Sequence, residues 1–246
     1  MRRKSLGGLA SFVVLLGAGL FILTGHSTVS KAQMPASTAS ATAMPAPADK
    51  ASAELSDADI QQAMTLHTMG KADAPLKMVE FASLSCPHCA EFFKETFPLI
   101  KKNYIDTGKI QYTYVDFPLN APALNAAAAA LCMPAETYFR YLDYLFETQD
   151  QWVFSDKQNT TLVQNAKLLG ADGDKLERCM ASKKLKEAIV DRMKLEGQAF
   201  GVEATPTFIF DNDKKKSVPG ALPYPDFAKI IDKALAEHKS AAPAAK

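Results

Sequence analysis

Charge of one sign is the first thing this chain lacks. Its 28 lysines and arginines meet 27 aspartates and glutamates, leaving a formal net charge of +1. So even a balance gives no support for nucleic acid or an anionic membrane surface as a partner. Also missing are a glycine-rich phosphate loop, paired acids in a glycosidase arrangement and a Ser/His/Asp order. Nothing therefore argues for nucleotide, glycoside or serine-nucleophile chemistry. No internal repeat is present, which sets solenoid folds aside. Cysteine is scarce, with four in 246 residues, and only Cys86 and Cys89 are close-spaced. A four-cysteine zinc site needs a second close pair that Cys132 and Cys179 do not supply, so no metal is expected. The single Trp152 and the tyrosines around residue 140 read most simply as core or groove residues.

What is present begins at the N-terminus. Arg2, Arg3 and Lys4 precede eighteen uncharged, mostly apolar residues from Leu6 to Leu23. That order reads as a signal peptide over 1–32, for which Ser30-Lys31-Ala32 could serve as the cleavage site, leaving Gln33 as the mature start. An uncleaved membrane anchor through residues 6–23 is the competing reading, because eighteen residues sits at the threshold for a span. Either way the remainder is expected in the periplasm or another extracytoplasmic compartment, where cysteines usually form disulfides. Residues 33–54, rich in Ala, Pro, Ser and Thr, offer too little to bury and read as a disordered linker.

The rest, about 55–240, patterns as one domain. Ser56-Asp57-Ala58-Asp59 can cap a helix through about His67 with Ile60, Met64 and His67 on one side. It could be a docked arm or an oligomerisation helix. Its brevity favours docking, and a monomer is the expected state. A strand over Leu76–Ala82 leads into a helix reaching about Tyr104, in which Pro98 predicts a kink. A second strand, Ile110–Phe117, follows. Helical segments then cover about Pro122–Leu131, Ala135–Thr148, Asn159–Leu169, Gly173–Ala181 and Lys183–Phe200. A hairpin comes next, Thr207–Phe210 with Lys216–Val218. The last helix spans about Pro225–His238.

The organising stretch is Val79-Glu80-Phe81-Ala82-Ser83-Leu84-Ser85-Cys86-Pro87-His88-Cys89, a short apolar strand running into a Cys-x-x-Cys pair. Phe93, Phe97, Ile100 and Tyr104 fall on one face of the helix beyond it. Cys86 then sits at the helix N-terminus, where orphan N–H groups and the dipole favour negative charge. Pro87 suits the first helical position because its missing N–H was an orphan anyway. A thiol held there ionises easily, and the thiolate is the species that attacks disulfides.

Cys86-Pro87-His88-Cys89 after an apolar strand resembles the active site of the DsbA family of thioredoxin-fold oxidases. Glu80, six residues before Cys86, matches a buried acid of that family. Ala204-Thr205-Pro206-Thr207-Phe208-Ile209-Phe210 resembles its cis-proline segment, and Val218-Pro219-Gly220-Ala221 the end of its last hairpin. The resemblance implies an α/β thioredoxin fold, a central mixed β-sheet flanked by helices, with an inserted helical domain over about 121–195. It also implies that Cys86 is the nucleophile and the more exposed sulfur, and Cys89 its buried partner. Glu80 would exchange protons with Cys89, and Thr205-Pro206 would be cis and line the substrate site. His88 would assist the thiolate, or else be a surface spacer. Glu80 could alternatively face outward from its strand. The best-known oxidases usually carry Val where Thr205 stands, which leaves redox poise open between oxidase and isomerase.

Cys132 and Cys179 resemble a second bridge seen in some branches of the family, with two free buried thiols as the alternative. Such a bridge would close about 48 residues and contribute up to roughly 4 kcal/mol. No cofactor is implied beyond the redox-active Cys86–Cys89 disulfide. The implied partners are unfolded or reduced secreted proteins and a DsbB-type, quinone-linked membrane reoxidant. Three functions stay in play: a disulfide-donating oxidase, an isomerase or reductase kept reduced, and a non-enzymatic surface or metal-binding protein on the same fold.

Overall fold

A computed structural model describes residues 54–241. The signal peptide or anchor over 1–32 and the linker as far as residue 53 lie outside the described residues. Among the described residues no helix is long and apolar enough to cross a membrane.

The sheet has the order β1-β3-β2-β4-β5, made by β1 (Thr68–Met69), β2 (Leu76–Ala82), β3 (Ile110–Asp116), β4 (Thr207–Phe210) and β5 (Ser217–Pro219). β2 pairs in parallel with β3, with Glu80 opposite Tyr114, and antiparallel with β4, with Glu80 opposite Phe208. β2 is therefore buried between two neighbours, which is why its sequence is a near-continuous apolar run. β1 and β5 close the two edges, each antiparallel to its neighbour.

Helix α1 (Asp57–Ala63) begins in a capping box. The Asp59 N–H donates to Ser56 Oγ at 3.1 Å, and the Ser56 N–H returns to Asp59 Oδ2 at 3.1 Å. The helix stops about one turn before His67, because the chain must leave it to reach β1. Gly70 then turns with φ +95°, and a Cβ there would lie 2.4 Å from the Ile110 carbonyl oxygen. α1 lies against its own chain: Leu55 and Ala63 are buried, and Arg192 donates to the Met64 carbonyl. His67 stacks on Tyr138 with ring centroids 3.8 Å apart, a packing role.

Around Pro98, where a kink is expected, the helix widens on both sides. α2 (Pro87–Glu91) runs through a widened π turn, Phe92–Thr96, into α3 (Phe97–Ile100), and a second π turn, Lys101–Ile105, follows. Phe97 donates to the Phe92 carbonyl five residues back. The wider spacing accommodates a proline that has no N–H to give. This helix buries Phe92, Phe93, Phe97 and Ile100 against Tyr112, Phe146, Phe208 and Phe227. At about 1.5–3 kcal/mol per buried large apolar side chain, that cluster is a main anchor of the Cys86–Cys89 helix on the sheet.

Between β3 and β4 lie α4 (Ala121–Ala130), α5 (Ala135–Glu147), α6 (Gln149–Trp152), α7 (Gln158–Leu168), α8 (Gly173–Ala181) and α9 (Lys183–Phe200). The short α6 was not anticipated. α4 packs through alanine, with Ala126 to Ala130 all buried, which lets neighbouring helices approach closely. Gly201, left-handed at φ +69°, ends α9 and returns the chain to the sheet. α10 (Tyr224–Ala241) covers the sheet with Phe227 and Ile231.

Candidate active site

The site forms where β2 ends and α2 begins. Cys86 is the N-cap of α2 (φ −82°, ψ 122°), and Pro87 takes the first helical position. Both active-site thiols are free. The Cys86 Sγ lies 3.4 Å from the Thr205 carbonyl oxygen, and Thr205-Pro206 is a cis peptide. Two segments more than a hundred residues apart in sequence thus meet at one sulfur.

The two sulfurs differ sharply. Cys86 is held down to a pKa of about 5, first by a hydrogen bond from the Cys89 thiol. The Thr205 side chain and the backbone N–H groups of Cys89 and His88 add to this, against the opposing effect of burial. An ordinary thiol near 8.5 is about 3% ionised at pH 7; one near 5 is about 99% ionised. Cys89, with no exposure, is pushed well up by burial, by its hydrogen bond to Cys86 and by the nearby Glu80. One sulfur is ready to be an anion and the other holds its proton.

Glu80 is fully buried on the central strand, so the outward-facing alternative does not describe it. Burial raises its carboxyl to about 8, opposed by a hydrogen bond from the Tyr112 hydroxyl to Oε2 at 2.7 Å. Its Oε1 has no hydrogen-bond partner among the described residues. A carboxyl poised near 8 is largely protonated at neutral pH and can give or take a proton there. Tyr112 itself was not singled out by the sequence reading. It and Tyr114 alternate on one face of β3, and that period-2 spacing is the signal that could have marked them.

His88 meets the sulfur through its backbone N–H. Its ring is largely exposed and turns to Glu91, with Nδ1 3.3 Å from Oε2. The expectation of an imidazole at the thiolate gives way to a ring held on the helix surface. The Thr205 hydroxyl is buried without a partner at hydrogen-bonding distance, yet it lies near enough to the sulfur to help hold the anion. Away from the site, Cys132 and Cys179 form a disulfide with Cα atoms 6.5 Å apart, tying the end of α4 to α8. Among the described residues no cluster of metal-binding side chains is found.

The thioredoxin family profile matches residues 62–233. The crystal structure of Wolbachia pipientis alpha-DsbA1 superimposes with a TM-score of 0.66 at 33% identity, covering 72% of this chain and 94% of that one. The chain belongs to the DsbA-like family of thioredoxin-fold oxidoreductases. Disulfide bond formation protein D of Bacillus subtilis is 28% identical over 179 residues, 68% of this chain and 76% of that protein. A Rickettsia felis relative, a protein-disulfide oxidoreductase by name, is 29% identical over 175 residues, 71% of this chain. The chain spans about 60–65% of the length of the curated Rickettsia relatives it matches. In this DsbA-like chain α4 to α9 form a helical insertion between β3 and β4 of the thioredoxin fold.

Proposed function

We propose that this chain is an exported protein-disulfide oxidoreductase that donates the Cys86–Cys89 disulfide to reduced secreted proteins. The observation that carries the reading is the split between the two thiols, one near 5 and the other driven up by burial. In the closed form a substrate thiolate attacks Cys86 Sγ, the Cys86–Cys89 bond breaks, and Cys89 leaves with the electron pair. Cys89 then takes a proton, for which the Glu80 carboxyl is the supporting donor. A second substrate thiolate attacks the substrate sulfur of the mixed disulfide and releases Cys86 as a thiolate. The substrate loses two electrons and gains a disulfide; the pair gains two electrons and opens. Cys86 is a good leaving group because its anion is held by the helix N-terminus.

The open pair must be recharged, and a DsbB-type membrane protein passing electrons to quinone is the partner this reading assigns. Export rests on the basic and apolar N-terminal segment. The isomerase alternative drew partly on an oligomerising α1; the contacts of Lys184 with Asp57 and of Arg192 with the Met64 carbonyl support docking of that helix on its own chain. The test is the Cys86–Cys89 equilibrium against glutathione. A potential well above thioredoxin's, about −270 mV, supports the oxidase; a value near it removes the oxidising role.

A further inference from the structure

One buried side chain touching the active-site turn has no part in the exchange steps. Gln149 opens α6 in the helical domain and is only 6% exposed. Its carboxamide nitrogen donates to the Leu84 carbonyl at 2.8 Å and to the Cys86 carbonyl at 3.1 Å. These two oxygens bracket the turn that carries Cys86 to the head of α2. The Cys86 carbonyl also accepts the Ala90 N–H at 3.1 Å, so the amide and the first helical turn share one acceptor. The amide is presented from a fixed base, because Trp152 is fully buried in the same helix and its indole N–H donates to the Leu145 carbonyl at 2.9 Å.

We propose that Gln149 is a positioning residue for Cys86, locking the Leu84–Cys86 turn so that the His88 and Cys89 N–H groups stay aimed at the sulfur. The inference deepens the exchange reading above and rests on it. Two N–H groups on one amide offset the partial negative charge of two carbonyl oxygens within two residues of Sγ. They also tie the helical domain to the one turn whose geometry sets the thiolate. Leu84 and Cys86 lie 65 and 63 residues before Gln149, so only the tertiary fold brings them together. The Cys89 and Thr205 side chains beside the sulfur are chemically unchanged by a substitution at Gln149, so a shift would arise in the turn that aims the His88 and Cys89 N–H groups.

The test titrates the reduced full chain by thiolate ultraviolet absorbance and equilibrates it with glutathione. Gln149→Met keeps the side-chain length and removes both donors. Its Cys86 is expected to titrate about one unit higher, and the glutathione equilibrium to move about tenfold toward the closed pair. Tyr141→Phe is the comparison variant. It deletes a buried hydrogen bond to the Leu162 carbonyl inside the same helical domain and is expected to leave the sulfur where it was. A Gln149→Met sulfur that titrates with the parent overturns the proposal, and so does a Tyr141→Phe shift of equal size. If Gln149→Met does not fold, Gln149→Asn, with the amide one methylene short, is read in the same way. A parent sulfur titrating as an ordinary thiol would overturn the exchange reading and this inference with it. A parent near 5 with an unmoved Gln149 variant overturns the inference alone.

Discussion

The two cysteine pairs of this protein are all buried, yet only one pair is equipped for exchange. Cys132 and Cys179 join α4 to α8 across 47 residues, and the apolar helical core surrounds them. Cys86 and Cys89 lie three residues apart at a helix N-terminus, with backbone N–H groups on one sulfur and a buried acid near the other. Burial therefore does not set a cysteine's chemistry here. What sets it is whether the surroundings stabilise an anion. The first pair has donors aimed at Cys86; the second has a covalent partner and no use for donors.

Breaking each pair should separate activity from stability. Cys86→Ser is expected to abolish disulfide transfer to a reduced protein substrate, a loss of at least about a thousandfold, since the nucleophilic thiolate and the leaving group vanish together. Its melting temperature near pH 5, where ionisation of Cys86 adds little stability, should change little from that of the reduced parent. Cys132→Ala with Cys179→Ala should do the reverse. Transfer is expected within a few-fold of the parent, while denaturant unfolding shows a loss of up to about 4 kcal/mol. A double variant that loses transfer while staying folded would end the division of labour drawn here.

Glu80 sharpens the contrast through pH. Its folded pKa, about 8, lies above the unfolded value of roughly 4.3. Ionising it therefore destabilises the fold, and the stability present below about pH 4.3 is lost progressively as pH rises through about 8. Glu80→Gln should accordingly be more stable than the parent, by a margin that is largest above pH 8 and vanishes towards pH 4. Thermal melts across that range check it. Cys86 acts in the opposite sense and only in the open form. Its folded value, about 5, lies below the unfolded one, so its stabilisation of the reduced protein is present above about pH 8.5 and fades as pH falls through about 5. Reduced minus oxidised melting temperature should shrink over that same window. The second pair, held as a disulfide, contributes no such pH dependence.

How much of this was legible in sequence follows from the range of each interaction. β2, the N-cap position of Cys86 and Pro87 at the first helical position rest on neighbours a few residues apart, and those were readable. So were β4, α8 and α9, whose patterns are local and whose breaks are Ser182 and Gly201. The thioredoxin topology came through the family resemblance of distant motifs rather than through periodicity. The helix running from Pro87 past Pro98 to about Tyr104 is legible in the sequence, but its two π turns are not, because a π turn has no pattern of its own. α1 was drawn too long because β1, only Thr68–Met69, exists through pairing with Thr113 and Tyr112 and not through its own residues. The Tyr112–Glu80 bond depends on strand register, and Gln149 on how the insertion packs. Neither leaves a local trace. His88 shows the converse: a suggestive residue whose ring the helix geometry turns to Glu91.

The finest test of the comparison is Thr205, because it asks whether one hydroxyl moves the exchange pair toward the inert one. The Thr205 hydroxyl is buried, makes no hydrogen bond among the described residues, and lies by the Cys86 sulfur. An unpaired buried hydroxyl costs about 1–3 kcal/mol of desolvation, which ionisation of the neighbouring thiol partly returns by giving it an acceptor. Thr205→Val removes both the cost and the return. The oxidised protein, which has no thiolate, should then melt at or slightly above the parent. The reduced protein should gain less, because its Cys86 anion has lost a donor. The sulfur is expected to titrate about half a unit higher, roughly a threefold change in ionisation. If Thr205→Val shifted the melts of both forms equally and left the titration unchanged, the hydroxyl would be only a packing defect. The anion would then be held by Cys89 and the helix terminus without help from the cis-proline loop.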